Sequence, residues 1–205
     1  DDEFAAANAH QGFILQPQSI KPPDAFGATR RTPDALSLGT AYHLIIEHLD
    51  LSAPVDASAV CSVIDKLTES ALLSQALADA VDISAVTAFF KSELGQMAQR
   101  SDVRVFREWP FTYALDAAVV GAKTPGEIVV MQGIIDMLIE TDDGLVIVDF
   151  KTDRVTGKNI HARAEKYAPQ LRHYARAAAD ILKQPVAAVW LYFLTAQKPI
   201  KINLP

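Results

Sequence analysis

The chain has 205 residues, half of them apolar and 21% charged, with a formal net charge of −6; this allows one domain with a full core and short appendages. No apolar run approaches the roughly 18–20 residues that cross a bilayer, and the acidic start lacks a signal-peptide core. The single cysteine, Cys61, excludes a disulfide framework, a four-cysteine zinc site and a cysteine-ligated iron–sulfur cluster, and fits a reducing cytoplasm.

In chain order, residues 1–34 read as an arm or linker from a larger protein. They carry Pro17, Pro22, Pro23 and Pro33 and no sustained periodicity. The chain also begins at Asp1 rather than at Met, which fits the same reading. Residues 35–100 form a helical portion. Tyr42, Ile45, Ile46 and Leu49 recur at i, i+3, i+4 and i+7, one face of a helix. Asp56, Thr68 and Asp82 are expected to cap three further helices. From about Val103 the pattern changes to β-branched runs bounded by Gly, Pro and Asp. Strands are expected at Val103–Glu108, Phe111–Leu115, Ile128–Glu140 and Leu145–Lys151. A helix over 160–183, interrupted or restarted at Pro169, precedes two last strands at Ala187–Thr195 and Ile200–Asn203. Residues 101–205 are thus a sheet portion, and 35–205 one domain of α+β or mixed α/β class, a central sheet flanked by helices.

Chemistry concentrates in the segment Gly133–Lys151. Side chains alternate along a strand, so Ile147, Asp149 and Lys151 share one face of their strand, and Ile134, Asp136 and Leu138 likewise share a face of theirs. A loop centred on Asp142-Asp143 places Glu140 opposite Leu145 and Asp136 opposite Asp149. A loop at Asp143-Gly144 places Asp136 opposite Lys151 instead. In either register the three charges point to one side. Two carboxylates at the roughly 5 Å of a directly facing pair repel by about 3 kcal/mol at an effective dielectric near 20. A cation between them removes that cost. Oxygen ligands with room for water suit Mg²⁺ or Mn²⁺, and a lysine beside the ion is placed for phosphodiester hydrolysis. Taken alone, Asp149 and Lys151 are better read as a solvated edge-strand ion pair; the apolar residues flanking every charge weaken that reading.

Asp136, a short turn and Asp149-Phe150-Lys151 resemble the core of the PD-(D/E)xK nucleases. Further motifs in order are similar to the RecB-like nuclease family of that group. They are Gly39-Thr-Ala-Tyr-His43, Glu108-Trp109-Pro110, Val148-Asp-Phe-Lys-Thr-Asp153 and Tyr167-Ala-Pro-Gln170-Leu-Arg-His-Tyr174. The resemblance spans roughly residues 39–195 and is strongest to the C-terminal nuclease domain of AddA-type, UvrD/Rep-like helicase–nuclease subunits. It implies a restriction-endonuclease-like core and a metal, Mg²⁺ or Mn²⁺, held by His43, Asp136, Asp149 and the backbone carbonyl of Phe150. Lys151 would be the catalytic lysine, Glu108 would assist metal or water at the site edge, and Gln170 and Tyr174 would support the site or touch DNA.

The implied protein is a bacterial cytoplasmic DNA nuclease, probing linear or single-stranded ends for exonucleolytic cleavage in double-strand-break repair. Its partners would be DNA, helicase domains of the same chain and a second subunit, with no membrane, no iron–sulfur cluster and no nucleotide bound by this segment. A freestanding DNA binder is usually basic; tethering to a motor and the carboxylates of a metal site reconcile the acidic charge with that function. The alternatives are an inactive nuclease-like module that binds DNA or a partner chain, and a stand-alone restriction-like or RNA nuclease.

Two helix faces add detail. Glu47 lies four residues after His43 on one face and is expected to orient the imidazole. Tyr167, Gln170, Leu171, Tyr174 and Ala178 form a stripe facing the sheet. Arg163, Lys166, Arg172 and Arg176 around it are placed either to meet phosphates or to be a solvated basic face. His10, His48, His161 and His173 are read as surface residues.

Overall fold

The structure, a computed structural model, describes residues 35–116 and 128–204; the expected arm over 1–34 lies outside the described residues. The elements run α1 (Ala35–His48), α2 (Ala57–Glu69), α3 (Gln75–Ala78), α4 (Ile83–Lys91), α5 (Glu93–Ala98), β1 (Arg104–Asp116), β2 (Ile128–Thr141), β3 (Gly144–Lys151), α6 (Ile160–Leu182), β4 (Val186–Phe193) and β5 (Lys198–Ile202). The chain divides into two compact units. The smaller holds described residues 110–116 and 128–133, where Gln132 Nε2 donates to Thr112 Oγ1 at 3.3 Å. The larger holds residues 35–109 and 134–204 and contains every candidate site residue.

The sheet order is β1-β2-β3-β4-β5. β2 and β3 are antiparallel, β3 and β4 parallel through the α6 crossover, and β4 and β5 antiparallel. This is the mixed α/β sheet flanked by helices that the order of patterns predicts. Alternation gives it two apolar faces. Met137, Ile139, Val146, Val148, Phe150 and Tyr192 join the helical portion in one core, with Tyr42, Ile45, Ile46, Val86 and Phe89. The Tyr42, Ile45, Ile46 and Leu49 stripe is buried as its periodicity predicts. Leu138, Ile147, Leu191 and Phe193 point the other way. There α6 packs on β3, β4 and β5 through Ala164, Ala168, Leu171, Ala175 and Ala178.

The β2–β3 turn settles the register. Glu140 faces Leu145 and Thr141 faces Gly144, so the loop is Asp142-Asp143. Gly144 has φ 119°, and a Cβ there would lie 2.4 Å from the Pro185 carbonyl oxygen. Glycine is required by both conformation and space. Leu145 N–H donates to that same carbonyl at 2.8 Å.

Three local expectations are corrected. Asp56 and Asp82 cap α2 and α4, accepting from Ala59 and Ser84 backbone N–H groups, but Thr68 caps nothing. It lies in the last turn of α2 and its hydroxyl donates to the Ile64 carbonyl at 2.8 Å; Ser74 is the next cap. A threonine hydroxyl satisfies its own helix as readily as it starts another. The two strands expected at 103–108 and 111–115 are one, β1, which runs through Pro110. β1 is an edge strand, where a missing N–H is tolerated. Helix α6 likewise runs unbroken through Pro169. Pro169 and Glu165, four residues before it, are exposed, so water can take the carbonyl that loses its donor.

Phe89 is fully buried and edge-on to Phe90, Phe150 and Tyr192, at centroid distances of 4.9, 4.8 and 4.9 Å. It ties α4 to the strand that carries Asp149 and Lys151. Phe89→Ala should therefore cost about 3–5 kcal/mol of unfolding free energy, read from urea denaturation. A loss below about 1 kcal/mol would mean that this aromatic cluster does not hold the helical portion to the sheet.

Candidate active site

The site forms where the β2–β3 ladder ends. The last paired residues are Met137 and Val148, and one step further the same register sets Asp136 opposite Asp149. The backbone ladder does not continue there. Instead the Asp136 side chain accepts the Phe150 backbone N–H through Oδ2 at 2.7 Å. A carboxylate has replaced a carbonyl as the strand's acceptor, which fixes Asp136 and keeps its other oxygen available. Both aspartates are buried, at 8% and 4% exposure, in a sheet whose other buried residues are almost all apolar.

His43 reaches this point from α1. Its Nδ1 lies 3.0 Å from Glu108 Oε1 and 3.5 Å from Asp136 Oδ1. His43, Glu108 and Asp136 each offer a ligand atom within 4.8 Å of the others. Glu108 comes from β1 with φ 47°, a left-handed conformation that costs a non-glycine residue about 1 kcal/mol or more. Residues held this way cluster at functional sites. Gly39, one turn before His43, lies against Thr152; a Cβ on it would sit 3.4 Å from Thr152 Oγ1. The start of α1 is thereby seated on the loop that follows Lys151.

Glu47 does not orient the imidazole, contrary to its i+4 spacing. Glu108 holds that position, while Glu47 lies near His48, 4.0 Å from its Nδ1, and acts on the Arg107 charge. Arg107 donates to the Ile46 and Leu49 carbonyls at the end of α1, which favours a carboxylate on that side of the helix. His48 is exposed, and its Nδ1 lies 2.9 Å from the Leu44 carbonyl of its own helix; His161 is exposed and His173 half-buried.

Lys151 Nζ lies 2.7 Å from Asp149 Oδ2. The contact is an ion pair, and among the described residues this buried oxygen makes no other polar contact. Gln170 Nε2 donates to Tyr174 Oη at 2.8 Å on α6. Burial raises the Tyr174 phenol pKa, and the negative charges of Asp149 and Asp136 add to the effect, which sets Tyr174 near both carboxylates. The Phe150 ring is in the core, edge-on to the His43 imidazole at 6.4 Å. Of its backbone, the N–H engages Asp136.

Sequence reasoning missed a second cluster beside the lysine. Tyr167 Oη donates to Asp153 Oδ2 at 2.9 Å, and Arg163 donates to both partners. Burial and the bond to Asp153 raise the Tyr167 pKa, so the hydroxyl keeps its proton. The i, i+4 spacing of Arg163 and Tyr167 was a usable signal. Asp153 lies in a loop whose path the spacing does not give.

Electrostatics mark this as a site under strain. Burial pushes the Asp136 pKa up to about 7, and the Asp149 charge adds to it, against His43, Lys151 and the Phe150 N–H. For His43, burial opposes the charged ring, but Asp136 and Glu108 prevail and raise its pKa to about 9. For Lys151, burial also opposes the charge, and Asp149 and Asp136 outweigh it, so the ammonium is held protonated. Proton uptake is one way to relieve facing carboxylates; a divalent cation is another. His43, Glu108 and Asp136, whose ligand atoms lie within 4.8 Å of one another, fit such an ion, with donors suited to Mg²⁺ or Mn²⁺, while Asp149 stands outside that group, paired with Lys151.

Comparison with known proteins agrees with the motifs. Residues 18–203 match the PD-(D/E)XK nuclease superfamily. An ATP-dependent helicase/nuclease subunit of Moorella thermoacetica is 36% identical over 184 residues, 87% of this chain and 13% of that protein. Its namesake from Geobacillus kaustophilus is 40% identical over 164 residues, 75% of this chain and 13% of that protein. The one from Limosilactobacillus fermentum is 33% identical over 190 residues, 87% of this chain and 14% of that protein. The chain therefore spans about one-seventh of the length of these relatives.

The two raised pKa values set the sign of a pH effect. A folded pKa above the ordinary one means that the folded state binds the proton more tightly. Stability from this source is full below the ordinary pKa and is lost as pH rises through the folded one. Asp136 loses it towards about pH 7 and His43 towards about pH 9. In chelator, the melting temperature should fall by several degrees from pH 5.5 to 9. With millimolar Mn²⁺ the fall should be smaller, because the cation replaces the protons. A flat profile in chelator, or no effect of Mn²⁺ at pH 9, would contradict this electrostatic account.

Proposed function

The chain belongs to the PD-(D/E)XK nuclease superfamily, and from that membership and its site we propose that it is a Mg²⁺-dependent deoxyribonuclease domain acting on DNA ends. The observation that carries the reading is the buried Asp136 and Asp149, facing one another beside Lys151. Such a pair is costly in an apolar sheet unless a cation joins it.

His43, Asp136 and Asp149 would hold the ion, with the Phe150 carbonyl as a further oxygen and Glu108 at its edge. When bound, the ion supplies a Lewis acid for the scissile phosphate and lowers the pKa of water. The residues of the chain do the rest. Asp136, pinned by the Phe150 N–H, and Asp149 set where the phosphate stops. Glu108 fixes the orientation of the His43 ring through Nδ1. Lys151, kept charged by the two aspartates, orients the attacking water and offsets charge gathering on the phosphate oxygens. In-line attack breaks the P–O3′ bond and leaves a 5′-phosphate and a 3′-hydroxyl. The exposed Gln170 amide, bonded to the Tyr174 hydroxyl on α6, would with it hold the DNA strand or an ordering water.

The relatives' name and length extend the proposal. The chain would be the nuclease part, residues 35–205, of a bacterial cytoplasmic helicase–nuclease that trims double-strand breaks exonucleolytically for recombination. Its partners would be DNA, helicase domains of the same protein and a second subunit. Delivery by a motor accounts for an acidic domain that acts on DNA. No helix among the described residues is long and apolar enough to cross a membrane.

Asp149→Ala and Lys151→Ala should each lower Mg²⁺-dependent degradation of linear DNA by roughly a hundredfold or more. Circular dichroism and melting should show the fold retained. Full activity in both variants would overturn the assignment.

A further inference from the structure

We propose that Tyr167 is a positioning residue for Lys151: its ring face confines the ammonium against Asp149, and Asp153 and Arg163 lock the ring in place. The proposal rests on the reading of Lys151 as the catalytic lysine.

A lysine ammonium is a strongly hydrated point charge on a flexible four-carbon stem. To act on one water or one phosphate oxygen it must be confined. On one side stands Asp149 Oδ2, 2.7 Å away. Another boundary is the Tyr167 ring, whose centroid is 5.0 Å from Nζ, inside the roughly 6 Å range of a cation–π contact. The two boundaries come from different elements, β3 and α6, so the ammonium is held across the crossover and not by its own strand alone.

An aromatic face suits this place for an electrostatic reason. The site already holds the negative charges of Asp136 and Asp149. A further carboxylate at the place of the ring would confine Lys151 but would compete with Asp149 for it and add to the repulsion. A ring quadrupole attracts the ammonium and carries no net charge.

The ring itself is fixed to an unusual degree for a half-buried tyrosine. Its hydroxyl donates to Asp153 Oδ2 at 2.9 Å and accepts from Arg163 Nη2 at 3.0 Å. Arg163 Nε donates to the other Asp153 oxygen at 2.7 Å, which closes a three-residue loop of hydrogen bonds. Arg163 Cζ lies 5.2 Å from the ring centroid. Asp153 follows Lys151 by two residues, so the loop ties the segment carrying the lysine to the helix carrying the ring.

The test compares Tyr167→Leu, Tyr167→Phe and Lys151→Ala in steady-state cleavage of linear DNA, with Mn²⁺ affinity measured by calorimetry for each. Tyr167→Leu removes the face and should lower kcat roughly tenfold or more, about 1.4 kcal/mol, with KM and Mn²⁺ affinity within about twofold of wild type. Tyr167→Phe keeps the face but gives up the hydroxyl's bonds to Asp153 and Arg163, and should recover part of that loss. The proposal is overturned if Tyr167→Leu keeps wild-type kcat, if the loss appears in KM or in Mn²⁺ affinity, or if the phenylalanine variant is as damaged as the leucine one. Lys151→Ala separates the two claims. If it is fully active, the catalytic reading of Lys151 fails. If it is inactive while Tyr167→Leu is unimpaired, the positioning role alone fails.

Discussion

Two buried carboxylates at the end of one β ladder, with a lysine paired to one of them, set the terms for the rest of the molecule. Asp136 and Asp149 face each other in a sheet otherwise lined with aliphatic and aromatic side chains. Like charges in that setting raise a carboxylate pKa and draw in any cation within reach. The structure supplies three answers at once. Burial and the Asp149 charge raise the Asp136 pKa, Asp136 and Glu108 raise that of His43 against burial, and the Lys151 ammonium is paired with Asp149. Each balances negative charge, and each can be displaced or supplemented by a metal ion.

The fold serves that cluster by fixing the parts independently. The two-residue turn at Asp142-Asp143 and the obligate Gly144 set the hairpin register. The aromatic core of Phe89, Phe150 and Tyr192 anchors the opposite face of the same strand. Helix α1 brings His43, edge strand β1 brings Glu108, and α6 brings Tyr167, Gln170 and Tyr174. Four distant stretches of sequence thus meet at one ladder end, and Glu108 does so in a conformation that an ordinary strand residue avoids.

What was legible in the sequence was local. Alternation and turn chemistry placed Asp136, Asp149 and Lys151 on one side, because both operate within a few residues. Periodicity predicted the buried stripe of α1, and Asp56 and Asp82 read correctly as caps. Long-range competition was not legible. Glu47 was the nearest carboxylate to His43 in sequence, yet Glu108, 65 residues away, is its partner. Thr68 had the chemistry of a cap and used it on its own helix. Pro110 and Pro169 looked like breaks, but an edge strand and a solvent-facing helix surface absorb them. The Asp153–Tyr167–Arg163 loop depended on the path between β3 and α6, which no spacing rule encodes.

In the proposed function these groups hold one metal ion. The most direct measurement is a crystal structure of the chain grown or soaked with Mn²⁺, with the ion located by its anomalous scattering. The account predicts one strong peak touching His43, Asp136 and Asp149, at distances near 2.0–2.3 Å. No peak at millimolar Mn²⁺, or a peak that touches neither aspartate, would contradict it.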